Sequence, residues 1–357
     1  MASYKVLTNL SELLDSGIKE GIFPCAIAGI SYQNKKYIIA RGYKSLTPFL
    51  EPVEDIDIFD LASLTKPLAL AFTLIYLLSQ NNNKINIFKP IKNYLNLVSP
   101  LGEVPIYRFL NHTSGLKAWY PFYEMLINKE FKEKRDIKLF KIIEKIEIIP
   151  LEYTPGKGCI YSDLGYFVLT YLLEKIYKKN LENLFEEAKK NVEFSKKSFL
   201  GFKPLEKNIS QEMIVPTSVC PWSKKILRGL VEDENTRALD GVSGVAGLFG
   251  NIYGVLDILE FLLLAYKEGT KRISSEIVKL FFEFKESISN FSLGFMHNEE
   301  KTIGHLGFTG CSFFIYLKKD LIVVLLTNRV YLDRSNQKIR EFRKIFHEKV
   351  LNSLLLK

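Results

Sequence analysis

The stretch of sequence that decides the fold is Asp60-Leu61-Ala62-Ser63-Leu64-Thr65-Lys66-Pro67. Proline has no amide hydrogen and is tolerated in the first turn of a helix, so Pro67 predicts that a helix begins close to Ser63. At such a position, free amide groups and the positive end of the helix dipole favour developing negative charge. Lys66 follows three residues after Ser63 and therefore lies on the same helix face. The pair is a candidate nucleophile with its base.

The Ser63–Lys66 pair also has a purely structural interpretation. A serine hydroxyl is a poor nucleophile at neutral pH and needs a neighbouring base. A lysine can act as that base if burial or a nearby cation lowers its pKa. In the structural alternative, Ser63 caps a helix and Lys66 is solvated, and Ser-x-x-Lys spacing occurs often by chance. The choice between the two therefore depends on other segments.

A second candidate segment, Tyr161-Ser162-Asp163, follows a Pro-Gly-Lys-Gly turn and directly precedes an apolar helical stretch, Leu164–Tyr177. A tyrosine there can project into a cleft, and its phenol can shuttle a proton if a lysine ammonium stabilises the phenolate. In the alternative interpretation, Tyr161 is an ordinary packing residue and Asp163 caps the helix. Asp163 can be that cap even if Tyr161 is catalytic.

A third candidate segment, residues 304–310 (Gly-His-Leu-Gly-Phe-Thr-Gly), carries three glycines where a strand is predicted. Glycines in a strand indicate close approach of a ligand or another element. His305 is a candidate hydrogen-bond donor to a substrate carboxylate or carbonyl. The Phe308 amide, beside Gly307, and the Ser63 amide are candidates for the two donors of an oxyanion hole. A structural histidine on a tight strand is the alternative.

Taken together and in this chain order, the three segments resemble the motifs of the class C β-lactamase superfamily, which includes penicillin-binding D-peptidases and esterases. Residues 109–116, with the run His-Thr-Ser-Gly-Leu, resemble a further family segment, so the resemblance extends from Leu10 to Thr327. It implies that Ser63 is the acylated nucleophile and that Lys66 and Tyr161 share the role of general base. His305 then stands in the place of the third motif's basic residue. His112 matches a position that the family uses structurally.

Asp163 and Leu306 are among the residues that depart from the family pattern. Asp163 stands where asparagine is commoner, and its carboxylate is expected to hold Lys66 as an ammonium unless it faces away. Leu306 replaces a threonine or serine, which removes a hydroxyl that would bind a substrate carboxylate. Both departures weaken the case for hydrolysis of β-lactams.

The order of predicted elements, with strands at both ends and helices between, indicates an α+β fold of the β-lactamase/transpeptidase type. One antiparallel sheet from residues 1–60 and 251–357 is expected to form a sheet domain, with residues 61–250 as a helical domain and the active site at their interface. The predicted helices are one opened by Asn9 and Glu12, then Ser63–Gln80, Ile137–Ile148, Leu164–Tyr177, Gly254–Tyr266 and Asp333–Leu355. The predicted strands are Ala26–Tyr32, Lys36–Tyr43, Phe291–Met296, Gly304–Leu317 and Leu321–Thr327, with Asn34 in the first hairpin turn.

The composition of the chain restricts the classes of partner and cofactor that are expected. The net charge of +9 comes from lysines scattered among acidic residues, which is typical of solvated helix faces and disfavours nucleic-acid binding. The cysteines at 25, 159, 220 and 311 form no Cys-x-x-Cys pair, so neither a metal nor a cofactor is expected. Residues 1–17 lack the apolar run and the small-residue cleavage site that are typical of a signal peptide, and apolar runs such as Leu68–Leu78 are too short to span a bilayer. We therefore expect a cytoplasmic protein with no membrane partner, and the oligomeric state is open.

The residues thus favour a serine hydrolase that forms an acyl-enzyme on a small ester, amide or peptide substrate, with an esterase favoured over a β-lactamase. A cytoplasmic β-lactamase or a D-amino-acid peptidase is the alternative within this class. A catalytically impaired penicillin-binding or regulatory protein is the alternative from another class, because Asp163 and Leu306 alter the site.

Overall fold

A seven-stranded antiparallel sheet, drawn from both ends of the chain, is the frame of the molecule. The computed structural model describes residues 2–80, 84–97, 100–127, 133–298, 301–331 and 333–355. Within these residues the strands are β1 (Cys25–Tyr32), β2 (Lys35–Ser45), β3 (Glu51–Pro52), β4 (Phe59–Asp60), β5 (Leu200–Phe202), β6 (Leu248–Gly250), β7 (Met296–Asn298), β8 (Thr302–Leu306), β9 (Ser312–Tyr316) and β10 (Leu321–Thr327). The large sheet has the order β3-β2-β1-β10-β9-β8-β7, and β4, β6 and β5 form a small second sheet.

The centre of the large sheet joins the two ends of the chain. β1 pairs antiparallel with β10, with Ala26 opposite Thr327, and every residue of β10 is buried. The β1–β2 hairpin turns at Gln33 and Asn34, both with positive φ, as a two-residue hairpin turn requires. The predicted sheet from both termini and the predicted hairpin are confirmed.

The last strands differ from the sequence prediction. The single strand expected over 304–317 is the hairpin β8–β9, and residues 307–311 form its turn. Gly310 in that turn has φ +105°, a conformation that ends a strand and favours glycine. The strand expected over Phe291–Met296 is wrong, since only Met296 belongs to β7. The turn is the important difference, because it brings Gly307 and Phe308 to a corner of the sheet.

Helices cover both faces of the large sheet. Within the described residues they are α1 (Ala2–Lys19), α2 (Phe72–Ser79), α3 (Tyr107–Leu110), α4 (Tyr123–Leu126), α5 (Arg135–Ile148), α6 (Asp163–Tyr177), α7 (Leu181–Lys189), α8 (Glu234–Ala238), α9 (Ile252–Glu268), α10 (Ser275–Glu283) and α11 (Ile339–Leu355). Alternate residues of β10 point to opposite faces: Val324 joins the core under α9, whereas Val323 joins a second core with α1 and α11. The α+β class is therefore confirmed, while the division into domains at residues 60 and 250 stays a prediction.

The two terminal helices begin elsewhere than predicted. α1 begins at Ala2, so Asn9 lies inside the helix and does not cap it. α11 begins at Ile339 rather than Asp333, because Asp333 accepts a hydrogen bond from the Ser335 amide (2.8 Å) and forms a turn there. The other predicted helices are present within a few residues of their expected ends.

The helical segment that contains the candidate nucleophile Ser63 is buried in the core of the protein. It is a 3-10 turn over Ala62–Leu64, a π-helical turn over Lys66–Ala71, and then α2. By length and composition, Ala62–Ser79 could cross a membrane, with a mean hydropathy of 1.4. Because 78% of it is buried inside the protein, it has the character of a core helix.

Candidate active site

Ser63 lies in a strained turn at the start of the core helix. The preceding residue, Ala62, has φ +47°, a conformation that is uncommon for a residue with a side chain and that clusters at functional sites. Ser63 remains partly accessible, and its Oγ accepts a hydrogen bond from Lys66 Nζ at 3.1 Å. The π-helical turn that begins at Lys66 is itself a feature frequent at functional sites. The predicted helix start and the predicted shared face of the pair are confirmed.

Asp60 holds the strained turn in place, and the sequence interpretation assigned it no role. Its Oδ1 accepts the Ala62 N–H (2.8 Å), and its Oδ2 accepts the Glu232 N–H (2.7 Å). Its main-chain oxygen accepts the Thr309 hydroxyl at 2.8 Å. Burial raises the pKa of Asp60 to about 7. The only signal in the sequence was an acid within an apolar run, which is too common to identify a brace between three segments.

Lys66 is completely buried and paired with Asp163. Its Nζ lies 2.8 Å from Asp163 Oδ1 and 3.2 Å from the Val245 carbonyl oxygen. Burial alone would lower the pKa of Lys66, but the charges of Asp163 and Tyr161 outweigh it and raise that pKa above its usual value. Lys66 is therefore an ammonium, as the sequence predicted for an Asp163 that faces it.

Asp163 is not the helix cap. Ser162 takes that role, because its Oγ accepts the Gly165 N–H at 3.3 Å. Asp163 is instead the first residue of α6, and its side chain, 19% exposed, turns towards Lys66. The expectation that Asp163 caps the helix is therefore wrong, since the adjacent hydroxyl satisfies the end of the helix.

The Tyr161 hydroxyl lies beside the Ser63–Lys66 pair. Lys66 Nζ is 4.9 Å from the centre of the Tyr161 ring, and that ring packs on His112 at 4.5 Å. The hydroxyl is buried and makes no hydrogen bond within the described part of the chain. Burial raises the pKa of Tyr161, and Lys66 opposes this increase without cancelling it. His112 Nδ1 accepts the Ser162 N–H at 3.0 Å, which supports its expected structural role.

The β8–β9 turn packs directly on the nucleophile segment. A Cβ atom at Gly307 would lie 2.8 Å from the Leu61 carbonyl oxygen, so this close approach requires glycine. Among the described residues, neither the Ser63 amide nor the Phe308 amide has a hydrogen-bond partner. The turn therefore leaves two free donors next to the nucleophile, as an oxyanion hole needs.

His305 presents an acceptor to the cleft. Its Nδ1 lies 2.9 Å from the Leu306 carbonyl oxygen, which can only accept, so Nδ1 carries the proton. Burial and then the Lys66 charge lower the pKa of His305 to about 3, and the ring is neutral. Nε2 is buried and has no partner among the described residues, so it offers a lone pair. The expectation that His305 donates a hydrogen bond to a substrate carboxylate is therefore corrected.

These groups line one cleft of about 740 Å³. Its wall combines Ser63, Tyr161, Asp163, His305, Gly307 and Phe308 with a further set of polar residues. The additional polar lining residues are Glu232, Asp233, Glu234, Gln337, Arg329, Arg334, Arg340 and Arg343. Within the described residues no cluster of three or more His, Cys, Asp or Glu side chains is arranged to hold a metal ion. The arrangement can therefore deliver a serine nucleophile, a proton acceptor and an oxyanion site to one point.

Comparison with known proteins gives a consistent result. The family model described as Beta-lactamase matches residues 10–188. The chain is 28% identical to N-acetylmuramyl-L-alanine amidase of Bacillus subtilis (strain 168) over 371 aligned residues, covering 92% of this chain and 82% of that protein. It is 26% identical to a putative D-alanyl-D-alanine carboxypeptidase of Salmonella typhimurium, covering 85% and 77%. The solved structure of EstCE1, a hydrolase with promiscuous acyltransferase activity, shares the fold with a TM-score of 0.72 at 18% identity, over 96% of this chain and 99% of that chain.

Proposed function

Because this chain belongs to the Beta-lactamase family, we propose that it is a serine hydrolase that forms an acyl-enzyme through Ser63 on a small ester or amide. The observation that carries the proposal is the 3.1 Å contact between Ser63 Oγ and Lys66 Nζ, beside the Tyr161 hydroxyl. These groups share a cleft with the unpaired amides of Ser63 and Phe308. Nucleophile, base and oxyanion donors therefore meet at one point.

In the proposed reaction, Tyr161 is the base. Lys66 is held as an ammonium by Asp163 and has no free lone pair, whereas a Tyr161 phenolate would be stabilised by that ammonium. The phenolate removes the Ser63 proton as Oγ attacks the substrate carbonyl carbon. The resulting oxyanion accepts hydrogen bonds from the two amides. Tyr161 then protonates the leaving alcohol or amine as its bond to carbon breaks.

Deacylation repeats the same proton path with water. Tyr161 removes a proton from water as the oxygen attacks the acyl carbon, and the proton returns to Ser63 Oγ as the acid leaves. His305 Nε2 is a neutral acceptor in the cleft, suited to a substrate N–H or O–H group. Leu306 has no hydroxyl that could bind a substrate carboxylate. Simple esters and amides are therefore favoured over β-lactams, which carry a carboxylate.

A second candidate within the same chemistry is hydrolysis of an amide in cell-wall peptides. It is favoured by the names of the Bacillus subtilis and Salmonella relatives, an amidase and a putative carboxypeptidase. Both candidates use Ser63 in the same way and differ only in the leaving group. A penicillin-binding protein without turnover would use the same acylation and lack the second step.

A substrate panel separates these functions. Purified protein is assayed with p-nitrophenyl esters, D-alanyl-D-alanine peptides, muramyl peptides and nitrocefin, each with wild type and Ser63→Ala. We expect turnover of at least one ester or amide and at least a thousandfold loss in the variant, because the oxyanion donors alone retain little activity. A burst of acylation without turnover would instead indicate the binding protein, and equal rates for both proteins would refute the assignment of Ser63.

Asp163→Asn is expected to move the pH profile of kcat/KM to lower pH. The Asp163 charge raises the pKa of both Tyr161 and Lys66, so its removal makes either group a base at lower pH. The acidic limb, where activity rises with pH, should move accordingly. At pH 7 we expect a gain of about threefold to tenfold, because each unit of decrease in the pKa of a base multiplies its deprotonated fraction by ten.

The matched control is Asp233→Asn. Asp233 also lines the cleft but forms no ion pair with Lys66 among the described contacts, and asparagine can keep its N-cap bond to the Thr236 amide (2.7 Å). Its profile should move less than that of Asp163→Asn. Equal profiles for wild type and Asp163→Asn would show that the pair does not control the base.

A further inference from the structure

Four arginines line the cleft and invite the interpretation of a carboxylate receptor: Arg329, Arg334, Arg340 and Arg343. Arg334 pairs with Glu232 (2.9 Å) and with Glu234. Arg329 and Arg343 have no carboxylate partner among the described ion pairs. The acceptors to which Arg329 and Arg343 donate their hydrogen bonds therefore indicate the role of each arginine.

Arg343 makes three hydrogen bonds to a single turn. Its Nε donates to the Gly310 carbonyl (3.1 Å), and its Nη2 donates to the carbonyls of Cys311 (2.8 Å) and Gly307. The residue is only 7% exposed, and burial lowers the pKa of Arg343 to about 10. A buried guanidinium without a carboxylate is costly unless its bonds have a use. Here the three bonds from Nε and Nη2 are directed at the β8–β9 turn, next to the proposed oxyanion site.

The Gly307 carbonyl belongs to the same peptide group as the Phe308 N–H. Within the described residues the cis peptide bond is Thr47–Pro48, and the peptide bond between Gly307 and Phe308 is trans. In a planar trans peptide, C=O and N–H point in opposite directions. When Arg343 holds the carbonyl on one side, the N–H is directed to the other side, away from Arg343. That amide has no partner among the described residues.

The next peptide group is held in the same manner. Arg329 Nε donates to the Phe308 carbonyl at 2.8 Å, and its guanidinium packs 4.6 Å from the centre of the Phe308 ring. Arg329 Nη1 donates to the Arg334 carbonyl (3.0 Å). Both peptide groups of Phe308 therefore have their carbonyls bound by buried guanidinium groups. A bond from a cation also polarises the Gly307–Phe308 peptide and makes its N–H a better donor.

We propose that Arg343 is a positioning residue that aims and polarises the Phe308 N–H for the oxyanion, and that it is not a receptor for a substrate carboxylate. The inference rests on the proposed acyl-enzyme function. Arg343, on α11, would then act in the transition state, because hydrogen bonds to the oxyanion are stronger there than in the ground state. Loss of Arg343 should therefore reduce kcat and leave KM nearly unchanged.

The test compares Arg343→Ala and Arg343→Lys with wild type on an ester identified in the substrate panel. For Arg343→Ala we expect kcat to fall about 10- to 100-fold, somewhat less than the loss of a whole oxyanion donor, with KM changed by less than about threefold. Arg343→Lys should recover part of the loss. Millimolar guanidinium chloride should restore activity to Arg343→Ala, and a boronic acid that forms a tetrahedral Ser63 adduct should bind more weakly in proportion to the loss of kcat/KM.

Two controls accompany the test. Lys344→Ala removes a cation from the exposed side of the same helix, where Lys344 pairs with Glu341 (3.1 Å), and should keep wild-type kcat. Arg340→Ala reports on carboxylate binding, since Arg340 lines the cleft and its side chain forms no hydrogen bond or ion pair with the described residues.

The outcomes are distinct. Wild-type kcat in Arg343→Ala would overturn the inference, and so would an increase of KM confined to carboxylate-bearing substrates. If Arg343→Ala does not fold, the test uses Arg343→Lys instead. For that variant too, a lower kcat with unchanged KM and weaker binding of the boronic acid are expected. If wild type itself neither turns over substrate nor labels at Ser63, the proposed function fails instead.

Discussion

Lys66→Met is expected to lower kcat by about a thousandfold. The variant removes the ammonium that lies 3.1 Å from Ser63 Oγ and 2.8 Å from Asp163 Oδ1, while methionine fills most of the buried space. Without that cation, a Tyr161 phenolate loses its stabilising charge, and proton transfer of this kind contributes about 10²- to 10⁴-fold. Steady-state kinetics on the best substrate of the panel measures the effect.

Lys44→Met is the matched control for Lys66→Met. Lys44 is also a buried lysine with an aspartate partner, Asp57, at 2.6 Å, but it does not line the cleft. Breaking this pair should lower the free energy of unfolding by about 3–5 kcal/mol and leave kcat of the folded protein unchanged. If Lys66→Met keeps more than a tenth of wild-type kcat, Lys66 is not part of the catalytic group.

Tyr161→Phe should reduce kcat by about 10²- to 10⁴-fold without loss of stability. The hydroxyl makes no hydrogen bond of ordinary geometry in the described structure, and Lys66 beside it keeps its contacts with Asp163 and Ser63, so little stability should be lost. The ring contacts with His112 and Lys66 remain in the phenylalanine variant. We therefore expect a melting temperature within about 2 °C of wild type together with a nearly inactive enzyme.

For the neighbouring Tyr166 we expect the opposite of Tyr161→Phe, a loss of stability without a loss of kcat. Its buried hydroxyl donates to the Leu110 carbonyl at 3.0 Å, and Lys66 Nζ lies 5.3 Å from its ring centre. Tyr166→Phe should lower the free energy of unfolding by about 1 kcal/mol and keep kcat. If Tyr166→Phe is inactive and Tyr161→Phe active, the assignment of the base is wrong.

The sequence could identify the parts of the site that lie in short segments. Pro67 places Ser63 at a helix start, and the spacing to Lys66 then follows from helical geometry. The glycines around His305 predict a close approach, which the structure shows at Gly307 against Leu61. That one sheet would draw strands from both ends of the chain was predictable, because strand patterns occur at both ends and helical ones between.

Contacts between distant segments were beyond such reasoning. Asp60 meets the Glu232 amide across 172 residues, and Arg343 meets Gly307 across 36. The direction of the Asp163 side chain depended on whether Ser162 or Asp163 capped α6, and both are good caps. The tautomer of His305 depends on a backbone oxygen whose position only the fold determines. For the cap of α6 the local preference left two options, and tertiary contacts selected one.

The central claim, that Ser63 is the nucleophile of the hydrolase, is tested most directly by the intact mass of protein trapped with a fluorophosphonate, followed by peptide mapping. We expect one adduct per chain, on the peptide that carries Ser63, and no adduct on Ser63→Ala. Labelling should also abolish hydrolysis in proportion to the fraction modified. An adduct on another residue, or a Ser63→Ala protein that hydrolyses substrate at the wild-type rate, would contradict it.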